Sequence, residues 1–242
     1  MEDKYTESDI HIKSPFLEKL ENFWFYYKIH TIVVLFIAFV LIVCVAQSCG
    51  KENADVKVMY AGRHYFTSEE LETVRAELNS VLPKDFDGDG KKYTDVVTYH
   101  VMDETQLREY EEEIKNLPKE DQIQIDRTYF TTEAQNFSNY IMTGDCGVFL
   151  LDIVQYNRLI SLDNQHIVLK PLSDLFDEIP ASAVGDYGIK FSETALYKNS
   201  TMLKQLPEDT VLCLSRPIKM GSSNDPKIYS RMTEMFLAMA QE

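Results

Sequence analysis

Cysteine is scarce in this chain, and it is badly placed for a covalent framework. Of the four cysteines, Cys44 and Cys49 lie in an apolar run, leaving Cys146 and Cys213 in the remainder of the 242 residues. Two thiols cannot staple a domain of this size, although a Cys146–Cys213 disulfide stays open in an oxidising compartment. Both fall in apolar segments, where a lone cysteine is usually a small buried side chain. No CxxC pair and no His/Cys cluster is present, which removes the usual zinc spacings. Basic residues are also in deficit, with 24 Lys and Arg against 39 Asp and Glu and a net charge of −15. Such a balance disfavours nucleic acid and anionic bilayer surfaces as partners, because both repel an acidic domain. GxSxG elbows, HExxH pairs, Walker loops and GxGxxG turns are all missing. His64, His100 and His166 are scattered, and Glu111–Glu113 reads as the wet face of a helix. Nothing argues for catalysis, and the chain is expected not to be an enzyme. There is no internal repeat.

One long hydrophobic run is present. Thr31 to Cys49, TIVVLFIAFVLIVCVAQSC, contains no charged residue. As a helix it spans about 28 Å, close to the roughly 30 Å hydrocarbon core of a bilayer. In lipid every backbone amide must be paired within its own segment, so a helix is the form it takes there. Ahead of it, SPFLEKLENFWFYYK offers Ser14 and Pro15 as helix-start signals and Phe16, Leu17, Leu20, Phe23, Trp24 and Tyr27 at helical spacing. Trp24, Tyr26 and Tyr27 sit where an aromatic belt meets headgroups. The sequence therefore divides into a 1–30 tail with an amphipathic interfacial helix, a 31–49 transmembrane helix, a 50–54 linker and a 55–242 domain, with lipid contacted through residues 16–49. The alternative is a lipoprotein acylated at Cys49, although Gln47 suits such a site poorly. Lysines flank the run on both sides, so the positive-inside rule barely sets its orientation.

In the domain, apolar runs alternate with helical patterns. Strands are expected at 55–62, 95–102, after Gly144 (CGVFLLD), near His166–Leu169, near Tyr187–Phe191 and at 210–215. Helices are expected after the Thr67/Glu70 capping box, after Asp103, over 132–143, over IVQYNRLI and after Asp225–Pro226. This is an α/β pattern with a mostly parallel sheet and flanking helices.

DFDGDGKKYTD (85–95) is the one segment with ligand spacing. Asp85, Asp87 and Asp89 alternate so that three carboxylates can converge on a hard cation, with the Lys91 carbonyl following. The segment resembles the DxDxDG opening of EF-hand and dockerin calcium loops. It departs at Lys92 and at Val96, where those loops carry an apolar residue and a bidentate Glu; Asp95 stands one residue early as a substitute. Weak calcium binding is the expectation, and a solvated Asp/Gly turn is the alternative. That affinity class belongs to extracellular modules, so the domain is expected outside the membrane. The sequons at Asn136 and Asn199 matter only in a secretory pathway.

FSNYIMTGDCGVFLLDIVQYNRLI (137–160) and LKPLSDLF (169–176) resemble segments of extracellular solute-binding proteins of the type II periplasmic-binding-protein fold. The resemblance implies a shortened domain of one lobe, or of two with one reduced, on a membrane anchor. It carries over no ligand residue. Open α/β sheets bind beyond the carboxyl ends of their strands, which nominates Asp152, Gln155 and Tyr156 as ligand contacts. The expected function is non-catalytic capture of a small solute outside the cell. A cell-envelope interaction or structural domain is the alternative.

Overall fold

The computed structural model describes residues 15–49, 53–161 and 168–242. Its two compact units, one ending at Glu52 and one beginning at Asn53, are taken in turn. The first contains a single helix, α1 (Pro15–Cys49), 35 residues long and thus about 52 Å from end to end. No proline or glycine follows Pro15 within it, so nothing kinks the chain between the expected interfacial and spanning parts. The two form one helix. Its apolar stretch runs from Phe23 to Val45, 23 residues with none of the window buried against the rest of the chain. That stretch starts earlier than Thr31 because Phe23–Tyr27 contribute to it, and it includes Lys28. It is long and apolar enough to cross a membrane. The side chains of Phe16, Leu17 and Leu20, the Ser14 cap, the Cys49 thiol and residues 50–52 of the linker lie outside the described residues.

The second unit is a mixed α/β domain. In chain order it contains β1 (Val56–Gly62), α2 (Ser68–Val81), β2 (Thr94–His100), α3 (Glu104–Asn116), α4 (Arg127–Thr143), β3 (Val148–Leu151), α5 (Ile153–Ile160), β4 (Ala183–Val184), β5 (Gly188–Lys190), α6 (Ala195–Asn199), β6 (Val211–Leu214) and α7 (Pro226–Met239). The six strands form one sheet in the order β2-β1-β3-β6-β5-β4. β1 pairs in parallel with β2 and β3. The other three pairings are antiparallel, which corrects the expectation of a mostly parallel sheet. The physical reason is local. VFLL of β3 and VLCL of β6 are both buried throughout, and apolar runs of that kind carry no mark of direction. The short turn between β4 and β5 permits only an antiparallel pair. The strand expected near His166–Leu169 lies partly outside the described residues, and Leu169 makes an isolated antiparallel bridge to Ser215.

Alternation along the strands builds two cores. Val58, Tyr60, Val148, Leu150, Leu212 and Leu214 face Val74 and Leu78 of α2 and Met232, Met235 and Phe236 of α7. Met59, Ala61, Phe149, Leu151, Val211 and Cys213 face Phe137 and Ile141 of α4 and Tyr156 and Leu159 of α5. Cys146 and Cys213 are both free and buried, and burial pushes the Cys146 thiol up to about 12. The caps follow the sequence signals: Thr67 and Glu70 form a reciprocal box, as do Asp103 and Gln106, and Asp225, ahead of Pro226, caps α7 by accepting from the Lys227 amide. α4 begins earlier than expected because Asp126 accepts from the amides of Thr128 (2.9 Å) and Tyr129 (3.4 Å). It ends at Gly144, whose φ of 66° is left-handed.

One carboxylate ties α2 to the segment after α6. Glu77 accepts hydrogen bonds from the Ser200 hydroxyl and from the amides of Thr201 (2.6 Å), Met202 (2.9 Å) and Leu203 (3.1 Å). Burial alone would raise its pKa, but these donors more than offset it and the net direction is down. The bonds therefore stabilise the fold above the ordinary carboxylate range, and that stability is lost as pH falls through the depressed value. Glu77→Ala should cost about 1–2 kcal/mol at neutral pH and shrink the loss of stability on acidification. Urea titrations at pH 7 and below pH 4 check both.

Candidate functional site

The acidic loop between α2 and β2 folds on its own carboxylates. Asp85 accepts from the amides of Gly88 (2.6 Å) and Gly90 (2.8 Å), Asp87 from Asp89 (3.0 Å), and Asp89 from Lys91 (2.8 Å). Gly88 and Gly90 take φ of 80° and 88°, which only glycine adopts without strain. The buried Asp55, just before β1, holds the loop from below. It accepts from the amides of Phe86 (2.6 Å), Asp87 (3.1 Å) and Tyr93 (3.0 Å).

Carboxylate oxygens of Asp55, Asp85 and Asp87 lie within 4.8 Å of one another, a group that could hold a metal ion. Two sequence-nominated ligands, Asp85 and Asp87, thus belong to this group, while Asp89 and Asp95 do not. Asp95 is on β2 opposite Lys57, with its carboxylate 4.0 Å from Arg75. Asp55 went unmarked because it is distant in sequence and reaches the loop only through β1–β2 pairing. The amides of Gly88 and Gly90 hold the Asp85 carboxyl below its usual value. The amide of Asp89 pulls Asp87 the same way, but partial desolvation and the nearby charges of Asp89 and Asp55 prevail and leave it raised. Deprotonating Asp87 therefore costs energy that a cation would offset.

The second site lies at the carboxyl ends of the parallel strands. β1 connects to β2 on one side of it and the chain then returns to β3 on the other, so this edge is a topological switch point. Gly62 closes β1 there. A Cβ on it would sit 2.6 Å from the Tyr60 hydroxyl and 2.7 Å from Asp152 Cβ, so glycine is required by the close approach. Asp152 caps α5 through the Val154 amide (2.8 Å) and receives the Gln106 amide on both oxygens (3.2 and 3.1 Å). Burial raises its pKa against the pull of the Val154 and Gln106 donors, and Asp209 adds to the rise.

The three nominated ligand residues are all buried, at 1% for Asp152, 2% for Gln155 and 1% for Tyr156. The Tyr156 hydroxyl donates to the Val184 carbonyl. Gln155 Oε1 has no partner among the described residues. These side chains are closed to solvent.

Beside Gln106, which holds Asp152, is a cavity of ≈ 430 Å³. Arg63 and His64 enter from the turn after β1, Gln106, Glu109, Tyr110 and Glu113 from one face of α3, and Gln205 and Pro207 from the segment leading into β6. Burial lowers the His64 pKa, and its Nε2 is enclosed without a hydrogen-bond partner among the described residues. These residues look like ordinary surface positions in the sequence. Two signals bear on them: Arg63 directly follows a strand, and 106, 109, 110 and 113 have the spacing of one helical face. No protein family, curated protein or solved structure matches this chain.

Gly62→Ala should lower the thermal midpoint by several degrees through this overlap, whereas Gly88→Ala, with nothing within 4 Å, should act only through backbone strain. Calorimetric scans of the two variants check the difference.

Proposed function

We propose that this chain is a non-catalytic binding protein, held at a membrane by α1, that captures a small polar solute in the cavity above Gly62. The observation that carries this is the cavity itself. Its volume of ≈ 430 Å³ falls within the roughly 300–1,000 Å³ usual for small-molecule sites, and it sits where open α/β sheets bind ligands. The parallel β2-β1-β3 half of the sheet supports a shortened lobe similar to those of extracellular solute-binding proteins. In this reading α1 spans the bilayer once and the domain lies outside. Tyr65 and Tyr129 each contact His100, at 5.7 and 6.1 Å between centroids, and both tyrosines are exposed, which favours a second reading as a protein-interaction domain.

The test is thermal unfolding of the full-length chain in detergent micelles with sugars, amino acids, polyamines and small organic acids. A true ligand at a hundredfold excess over its Kd stabilises by about 2.7 kcal/mol, a rise of roughly 5–10 °C for a domain of this size. Gln205→Trp, placed at an exposed point of the cavity wall, should abolish the shift. If no class of solute raises the midpoint, the interaction reading takes its place.

The acidic loop enters the same reading as a weak calcium site that braces the turn between α2 and β2, through Asp85, Asp87 and Asp55. Titration calorimetry of the full-length protein should give a Kd on the order of 10⁻⁴ M, with the heat lost in Asp87→Asn. An unchanged trace in that variant, or no heat in the native chain, would reduce the loop to a turn.

A further inference from the structure

The charges around the cavity are unevenly paired, and this deepens the solute-binding reading on which it rests. On the flank of α3, Glu104 pairs with Arg108 (3.2 Å) and Arg127 (3.1 Å), and Glu111 pairs with Arg127 (2.7 Å). Glu109 and Glu113, one turn apart on the face toward the cavity, make no ion pair among the described residues. They are like charges at i and i+4, which repel on a helix. Arg63, across the same cavity, also makes no ion pair among the described residues. With His64 held toward its neutral form by burial, Arg63 is the cation of the lining. The molecule thus keeps a guanidinium and two carboxylates around one cavity without letting them neutralise each other.

Each simple ligand class meets an objection. A neutral solute would desolvate these charges and return nothing for them. A simple anion would suit Arg63 but face Glu109 and Glu113. A simple cation would suit the glutamates but face Arg63. We infer that the cavity takes a small zwitterion, its carboxylate on Arg63 and its ammonium between Glu109 and Glu113. A planar guanidinium can bind a carboxylate through two parallel hydrogen bonds. Tyr110 and Met102 offer apolar contact for the carbons between the two charged ends, and the Gln205 amide supplies neutral hydrogen bonds at the wall.

The experiment is titration calorimetry of the full-length chain in detergent micelles. The probes are ω-amino acids from glycine to 6-aminohexanoate and L-α-aminobutyrate, with butyrate, butylamine and glucose as controls. At least one zwitterion should bind tenfold or more tightly than every control. Arg63→Gln should erase its advantage over butylamine, and Glu109→Gln with Glu113→Gln should erase its advantage over butyrate. All three positions are exposed, and circular dichroism verifies that the variants fold. A control binding as tightly as every zwitterion overturns the inference. If that control's binding is lost in Gln205→Trp, solute capture stands and only the ligand class falls. Absence of heat from every probe overturns the zwitterion, while solute capture then stands or falls on the wider thermal screen.

Discussion

β1 is hydrogen-bonded on both edges and packed on both faces, and most of the domain is arranged by that requirement. Val58 and Tyr60 are buried on the side of α2 and α7, Met59 and Ala61 on the side of α4 and α5. To cover both faces, the chain must cross once on each side of β1, to β2 and then back to β3. Those two crossovers part at the carboxyl end of β1, and the crevice they leave is the cavity above Gly62. The cavity is a by-product of covering the central strand, and Arg63 and His64 line it directly after the close approach of Tyr60, Gly62 and Asp152.

A second constraint is the acidic balance of the chain, with 39 Asp and Glu against 24 Lys and Arg. There are too few cations to pair every carboxylate, and the domain uses backbone amides in their place. Asp55, Glu77, Asp85 and Asp152 each accept at least one backbone N–H. Charge-assisted bonds of this kind are stronger than neutral ones, and they join segments far apart in the chain, such as Glu77 to Leu203.

The capping box at Thr67, the cap at Asp103, the Asp225–Pro226 start and the Gly144 stop were legible because each depends on residues within one turn. The acidic loop was legible for the same reason, since Asp85, Asp87, Gly88 and Gly90 shape it locally. Asp55 was not, because register between β1 and β2 brings it there. Asp152 was marked as a ligand contact from its position after a strand. In the structure it accepts from the Val154 amide and from Gln106, and the polar groups of the cavity come from Arg63, α3 and the segment before β6.

The sequence by itself determined most of the helix starts and the main buried strands, the α/β class, and a helix apolar and long enough for a bilayer. These depend on periodicity, capping and length, which act over a few residues or one helix. Tertiary structure alone decided that β6 runs antiparallel to both β3 and β5, that Asp55 joins the acidic loop, and that Arg63 lines one cavity with Glu109 and Glu113. Each of those is a contact between residues far apart in the chain, chosen by which apolar faces must be covered together, and no local pattern encodes it.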